Sequence, residues 1–164
     1  MEFRIGQGYD IHRMETGNPL VLGGVLIDAE RGPAAHSDGD ALLHAITDAL
    51  LGAICQGDIG DLFPDTDAKN ANRDSADFVR EALWYVAKAG LEVNNIDATV
   101  VLEEPKLWPY KEGMRLGIAR VCQCAPTQVS VKAKTNEKLD AIGFGDAVAA
   151  HAVVLLRSAA DGHA

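Results

Sequence analysis

Residues 36–52 have the sequence HSDGDALLHAITDALLG, in which a polar loop runs directly into an apolar helix. Ser37 or Asp38 is a suitable N-cap, because a hydroxyl or carboxylate oxygen accepts hydrogen bonds from the free N–H groups of the first turn. Gly52 is typical of a helix end. Residues 41–51 are mostly apolar, so we expect this helix to be buried within the fold.

Three ionisable residues interrupt this helix. Asp40 would lie in the first turn, and Asp40, His44 and Asp48 recur every four residues, so they should share one stripe. One interpretation of this stripe is a core histidine that is hydrogen-bonded to a neighbouring carboxylate. The other is a metal site in which neutral His44 is a ligand and a carboxylate such as Asp48 accepts its other ring N–H.

The N-terminal segment supplies further metal ligands. Residues 2–12 have the alternation of a strand, which puts Asp10 and His12 on one face of the sheet and Tyr9 and Ile11 on the other. A surface hydrogen bond would explain such a pair equally well. Together with His44, however, the pair makes one carboxylate and two imidazoles, the open ligand set of a catalytic zinc.

Composition limits the class of protein. A chain of 164 residues predicts a single domain, residues 1–164, and its formal charge of −9 argues against binding to a nucleic-acid backbone. No apolar run approaches the roughly 20 residues of a membrane span. Three cysteines without an export signal argue against a disulfide framework. We therefore expect a soluble, cytoplasmic protein with no membrane partner.

The remaining pattern predicts an α+β fold, with a mixed sheet of about four strands covered on one face by helices. The uncovered face favours self-association, most simply as a closed ring. The loop at residues 57–67 contains two Gly, one Pro and four Asp and should form no regular element. The predicted strands of the sheet are residues 2–12, 96–103, 128–134 and 146–156; for the last, periodicity alone also allows a helix, and the flanking Gly143 and Gly145 favour a strand. Residues 20–28 have a β-rich pattern in which Gly23 and Gly24 could form a hairpin turn or a bulge. The predicted helices are residues 41–51, 75–88 and 110–122.

Several motifs in order resemble the 2-C-methyl-D-erythritol 2,4-cyclodiphosphate synthases of the non-mevalonate isoprenoid pathway. The matching motifs are GQGYDIH at residues 6–12, HSDGD at 36–40, HAITDALLG at 44–52, DIG at 58–60, FPDTD at 63–67, PK at 105–106 and KTNEKL at 134–139. The resemblance covers nearly the whole chain.

This resemblance implies a homotrimer with active sites between subunits. The reaction would be that of a phosphorus–oxygen lyase. The 2-phosphate of 4-diphosphocytidyl-2-C-methyl-D-erythritol 2-phosphate would attack the β-phosphorus, releasing CMP and the cyclic diphosphate. Zinc on Asp10, His12 and His44 would polarise the β-phosphate, and Glu137 would hold magnesium or manganese at the diphosphate.

The resemblance also implies the other site residues. His36 and Thr135 would stabilise the transition state as catalytic residues, and residues 102–108 and 133–137 would form the cytidine pocket. The implied substrate contacts are Asp10, His12, His36, Ser37, Asp58, Ile59, Gly60, Phe63, Pro64, Asp65, Thr66, Asp67, Pro105, Lys106, Leu107, Ala133, Lys134, Thr135, Asn136 and Glu137.

One segment departs from the family pattern. Where many members have Gly-Phe-x-Gly-Arg after the Glu-Lys-Leu motif, this chain has Ala141 and Phe144 in place of the aromatic residue and the arginine. We therefore assign no phosphate contact to Phe144 and expect no axial isoprenoid diphosphate site of the usual kind. A zinc-dependent hydrolase and a metal-bound trimeric ligand sensor remain as alternative functions.

Overall fold

The structure is a computed structural model that describes residues 2–35, 37–63 and 73–159. The expected roles of His36 and of Pro64, Asp65, Thr66 and Asp67 fall outside these residues. The strands are β1 (Phe3–Thr16), β2 (Leu20–Leu22), β3 (Val25–Ile27), β4 (Arg31–Pro33), β5 (Leu91–Val101), β6 (Val129–Lys134) and β7 (Ala147–Ser158). The helices are α1 (Ala41–Ala53), α2 (Ile59–Leu62), α3 (Ser75–Lys88), α4 (Lys111–Val121) and α5 (Asp140–Gly143).

The main sheet is mixed, as predicted, and has five strands in the order β4-β1-β7-β5-β6. All neighbouring pairs are antiparallel except β5 and β6, which are parallel. The fifth strand is β4, whose Arg-Gly-Pro sequence has no apolar alternation by which it could be recognised. Strands β2 and β3 form a separate hairpin, and its turn at Gly23 and Gly24 has positive φ angles of 61° and 74°.

Two glycines bring α1 into direct contact with the backbone of β1. A Cβ atom at Gly8 would lie 1.9 Å from the carbonyl oxygen of Ala45, and one at Gly6 would lie 1.9 Å from that of Ala49. No larger residue fits at this separation. The close approach places the next residues of β1, which include the predicted metal ligands Asp10 and His12, beside α1.

The start of α1 differs from the prediction. Asp40 is the N-cap, and its Oδ1 accepts hydrogen bonds from the N–H groups of Leu42 and Leu43 at 3.1 and 3.0 Å. The same fully buried carboxylate accepts the N–H groups of Gly23 and Gly24 at 2.9 and 2.7 Å. Asp40 therefore faces the β2–β3 hairpin. The predicted stripe of Asp40, His44 and Asp48 therefore does not form in this way. As the N-cap, the Asp40 side chain folds back onto the first turn of α1, and its hydrogen bonds do not involve His44.

The opposite face of the sheet is exposed and carries several large apolar side chains. As the period of two predicts, Tyr9 and Ile11 lie there, at 46% and 44% exposure. Ile5 on β1 and Val153 on β7 extend the same surface, at 70% and 38%. Helices α1 and α3 pack against the other face. Among the described residues, no helix has the length and apolar character needed to cross a membrane.

Candidate functional site

Asp10, His12 and His44 converge on one point between β1 and α1. The Oδ2 atom of Asp10 lies 3.0 Å from Nε2 of His12 and 3.1 Å from Nδ1 of His44. The two histidine nitrogens are 3.2 Å apart. The strand contributes two ligands from one face and the helix contributes the third, so the cluster depends on the close packing of α1 on β1.

The donor set and its spacing fit a divalent metal ion. In tetrahedral zinc sites the ligand bonds are about 2.0–2.1 Å long, which puts neighbouring ligand atoms about 3.3 Å apart. The three distances in this cluster are close to that edge length. Three protein ligands also leave one position of the tetrahedron free for a substrate oxygen.

The Asp10 carboxylate favours positive charge within the cluster. Burial opposes ionisation of Asp10, but hydrogen bonds from His12 and His44 outweigh it and hold the pKa of Asp10 well below its usual range. Burial likewise opposes charge on His44, and the Asp10 carboxylate outweighs it and raises the pKa of His44. Because a metal-binding imidazole must be deprotonated, a metal ion would compete with a proton for His44.

The second ring nitrogen of His44 faces two serine hydroxyls, and Asp38 holds one of these serines in place. Nε2 of His44 lies 2.8 Å from Oγ of Ser75 and 3.3 Å from Oγ of Ser37. The Ser75 hydroxyl donates to Oδ1 of Asp38, and the Ser75 N–H donates to Oδ2 at 3.2 Å. If the His44 Nε2–H donates to Ser75, the lone pair on Nδ1 faces the cluster.

Asp48 does not accept the His44 N–H, contrary to the prediction. Its Oδ1 accepts the backbone N–H of Ile59 at 2.8 Å, and this bond attaches α2 to α1. Asp58 is the N-cap of α2 and forms a capping box with Asp61. This short helix contradicts the expectation that residues 57–67 contain no regular element. A one-turn helix with a capping box is too short for periodicity to reveal.

The sequence did not reveal the role of Ser75. Asp74 and Ser75 are both suitable N-caps of α3, and Asp74 takes that place by accepting the N–H of Ala76 at 2.8 Å. The Ser75 side chain is consequently free to turn inwards, where it is fully buried. Only the tertiary contact between α3 and α1 brings it to His44.

Aromatic rings form a wall beside the cluster. The Phe78 ring lies 5.9 Å from the His44 ring and 4.9 Å from Phe63, measured between centroids. The Arg73 guanidinium lies 4.9 Å from the Phe78 centroid and 5.3 Å from that of Phe63. Phe63, an expected substrate contact, is 7% exposed and is therefore mainly a packing residue in this chain alone.

A second group of predicted residues lies at the ends of β5 and β6. Leu102, Lys106, Leu107, Trp108, Lys111, Ala133, Lys134 and Thr135 line a cavity of about 190 Å³. The N–H of Leu102 donates to the Lys134 carbonyl at 2.9 Å, which holds the two sides of the cavity together. The Lys106 Nζ donates to the Glu103 carbonyl at 3.2 Å. Pro105 lines a neighbouring groove instead.

The two groups are separated within one chain. Strands β7 and β5 lie between β1 and β6, and three strand spacings amount to about 14 Å. The cavity at β6 and the cluster at β1 therefore do not form one compact site in a single subunit.

Comparison with known proteins identifies one family. The profile of the YgbB family matches residues 3–157. The chain is 54% identical over 156 residues to the 2-C-methyl-D-erythritol 2,4-cyclodiphosphate synthase of Paraburkholderia xenovorans, covering 95% of this chain and 98% of that protein. It is 47% identical to the chloroplastic synthase of Arabidopsis thaliana, covering 95% of this chain and 68% of the plant protein.

A solved structure of 2C-methyl-D-erythritol-2,4-cyclodiphosphate synthase in a CDP-bound form has a TM-score of 0.88 with this fold. The two are 43% identical, and the match covers 94% of this chain and all of the other. The extent and the identity of these matches exceed what a shared fold alone would give. The chain therefore belongs to the YgbB family, and like its close relatives it is an enzyme of the 2-C-methyl-D-erythritol 2,4-cyclodiphosphate synthase type.

Proposed function

We propose that this chain is a phosphorus–oxygen lyase that converts 4-diphosphocytidyl-2-C-methyl-D-erythritol 2-phosphate to the 2,4-cyclodiphosphate and CMP. The observation that carries the proposal is the convergence of Asp10, His12 and His44 within 3.2 Å of one another. Family membership supports the identity of the substrate.

Asp10, His12 and His44 would hold zinc, and Glu137 would hold magnesium or manganese. Such ions, when bound, act as Lewis acids that neutralise charge on phosphate oxygens. The protein residues orient the ligands, through the hydrogen bonds of Ser75 and Asp38 described above, and exclude water along the Phe63 and Phe78 wall.

The reaction requires no nucleophile from the protein, because the 2-phosphate and the β-phosphorus belong to one molecule. Holding that molecule in an in-line pose can lower the barrier by several kcal/mol, roughly 7–11 in well-oriented model reactions. We assign this positioning to residues 58–60 and 63–67 around the erythritol group. His36, Ser37 and Thr135 would stabilise the reacting phosphates as charge is redistributed.

The cavity at the ends of β5 and β6 is the proposed cytidine pocket. The CDP-bound relative supports a nucleotide ligand for the family. Lys106 and Lys134 supply positive charge beside a nucleotide diphosphate, in a chain whose formal charge is −9. A cytoplasmic location remains a prediction.

We further propose that the active enzyme is a homotrimer. The exposed apolar face of the sheet, with Ile5, Tyr9, Ile11 and Val153, is suited to contact with other copies of the chain. The distance of about 14 Å between β1 and β6 also favours a site completed by a neighbouring subunit. A closed ring would cover all such faces equivalently.

Incubation of the purified protein with the cytidyl substrate tests the proposal. We expect CMP and the cyclic diphosphate in equal amounts, because ring closure expels CMP. An acyclic phosphate product would instead indicate a zinc-dependent hydrolase. Zinc binding and CDP binding without CMP release would indicate a ligand sensor. Light scattering of the same preparation tests the trimer.

A further inference from the structure

The loop after β6 contains a tight turn with unusual backbone angles. The N–H of Leu139 donates to the carbonyl of Asn136 at 2.9 Å, which closes a four-residue turn. Its two central residues, Glu137 and Lys138, have φ angles of +52° and +60°. Two consecutive left-handed residues are typical of a type I′ turn, in which glycine and asparagine are strongly preferred. A glutamate and a lysine are strained there.

Glu103 makes hydrogen bonds to this turn from the neighbouring segment. Its Oε2 accepts the N–H of Asn136 at 3.1 Å and the N–H of Lys138 at 3.4 Å. These two N–H groups flank Glu137 on either side. Glu103 lies two residues beyond the end of β5, and the bond from the Leu102 N–H to the Lys134 carbonyl joins the two segments just before it. One carboxylate thus connects the end of β5 to both sides of the strained turn.

Strained backbone persists only where surrounding contacts determine it, and it is concentrated at functional sites. An ionised carboxylate is a strong acceptor for backbone N–H groups. In this turn the contacts from Glu103 offset the strain of the left-handed conformation. They hold the backbone on both sides of Glu137.

We propose that Glu103 is a positioning residue, which holds Thr135 and Glu137 in the orientation needed at the substrate diphosphate. This inference rests on the proposed function, in which Glu137 binds magnesium or manganese and Thr135 contacts the reacting phosphates. Glu103 acts through the turn and need not touch the substrate. Its role depends on the acceptor oxygen, and a neutral acceptor of the same shape should largely preserve it.

The test compares three variants with the wild-type enzyme: Glu103→Ala, Glu103→Gln and the double variant Glu103→Ala with Lys138→Gly. Glycine adopts positive φ without strain, so it should restore the turn without the carboxylate. Glu92→Gln is the matched control, because Glu92 lies at the other end of β5 and pairs with Arg157 at 2.7 Å. CMP release is measured against magnesium concentration, and zinc content is measured for every variant.

We expect Glu103→Ala to raise the half-saturating magnesium concentration about tenfold or more, as loss of an outer-shell partner commonly does. Glu103→Gln should stay within about threefold of wild type, because its amide oxygen still accepts a hydrogen bond. In the double variant, the half-saturating magnesium concentration should return most of the way to the wild-type value. Zinc content should not change, since the Asp10 cluster lies on β1 and α1, away from the turn. The Glu92→Gln control should have the magnesium dependence and the zinc content of the wild type.

Two results would overturn the inference: an unchanged magnesium dependence in Glu103→Ala, or equal deficits in the alanine and glutamine variants. The second result would mean that the charge of Glu103 matters and not the turn. Failure of the wild-type enzyme to release CMP would refute the proposed function instead. Amide hydrogen exchange at Asn136 and Lys138 then still tests the turn, and unchanged protection in Glu103→Ala would count against Glu103.

Discussion

The Oγ atom of Ser75 lies 2.8 Å from Nε2 of His44, and its hydroxyl donates to the Asp38 carboxylate. This buried chain of hydrogen bonds connects the start of α3 to the candidate metal cluster. It fixes the plane of the imidazole ring, and it leaves Nδ1 directed at Asp10 and His12. The geometry of the cluster therefore depends on residues that are not themselves ligands.

Replacement of Ser75 by alanine should weaken zinc binding about 10- to 100-fold, as loss of the partner of a metal-binding histidine commonly does. Competition with a chromophoric chelator measures the affinity. Thr47→Val is the matched control, because the Thr47 hydroxyl is equally buried in α1 but donates to the Leu43 carbonyl at 2.8 Å. Equal zinc affinities for wild type and Ser75→Ala would show that the hydrogen bond does not orient His44.

The close contact between β1 and α1 should make Gly8 intolerant of any side chain. A Cβ atom there would lie 1.9 Å from the Ala45 carbonyl oxygen, and rigid backbone cannot yield as a flexible side chain can. We expect Gly8→Ala to lower the free energy of unfolding by about 3 kcal/mol, the upper part of the usual range for overpacking. Zinc binding should weaken as well, because α1 must move away from β1.

Gly52→Ala is the control for this prediction. Gly52 lies in the same helix, and its nearest contact to a Cβ atom would be 3.9 Å away. Alanine should stabilise the helix there by up to about 1 kcal/mol. Urea denaturation of both variants measures the two effects. Similar changes for Gly8→Ala and Gly52→Ala would contradict the packing described for Gly8.

The burial of Asp40 should make stability depend on pH. Burial is the main cause that raises the pKa of Asp40 from 3.8 to about 6, and the nearby Asp38 carboxylate adds to it. The folded state thus binds this proton more tightly than the unfolded state does. The resulting stabilisation is complete below the unfolded pKa and is lost as the pH rises through the folded pKa.

Asp40→Asn removes this titration while keeping a suitable N-cap residue. Relative to the variant, the wild-type free energy of unfolding should fall by about 2 kcal/mol between about pH 4.5 and about pH 7. Urea denaturation at several pH values measures the difference. Parallel curves for the two proteins would mean that the Asp40 pKa is the same in the folded and unfolded chains.

Local patterns predicted the parts of the site that lie on regular elements. The period of two in β1 put Asp10 and His12 on one face, and the long apolar run predicted the buried helix that carries His44. The side-chain partners of Asp40, Ser75 and Glu103 could not be predicted, because they are far away in the chain. Asp40 binds a hairpin turn, Ser75 binds a ring on another helix, and Glu103 binds the turn after a different strand.

Dependence on a distant partner also explains where the observed fold differs from the predicted one. Strand β4 forms because the end of β1 offers free backbone groups to residues 31–33, which have little strand character themselves. Helix α2 forms where Asp48 accepts the Ile59 N–H. Both elements are short and depend on a partner that no local pattern reveals. Strands β1 and β7 form where they were predicted, and each extends further towards the C-terminus, to Thr16 and Ser158.

Zinc content and CMP release, measured on one preparation before and after metal removal, test the Asp10, His12 and His44 site most directly. Stripped protein should release no CMP, and added zinc should restore activity as the site fills. His44→Ala should retain neither zinc nor activity, while its assembly stays that of the wild type. CMP release at the full rate from metal-free protein would contradict the account.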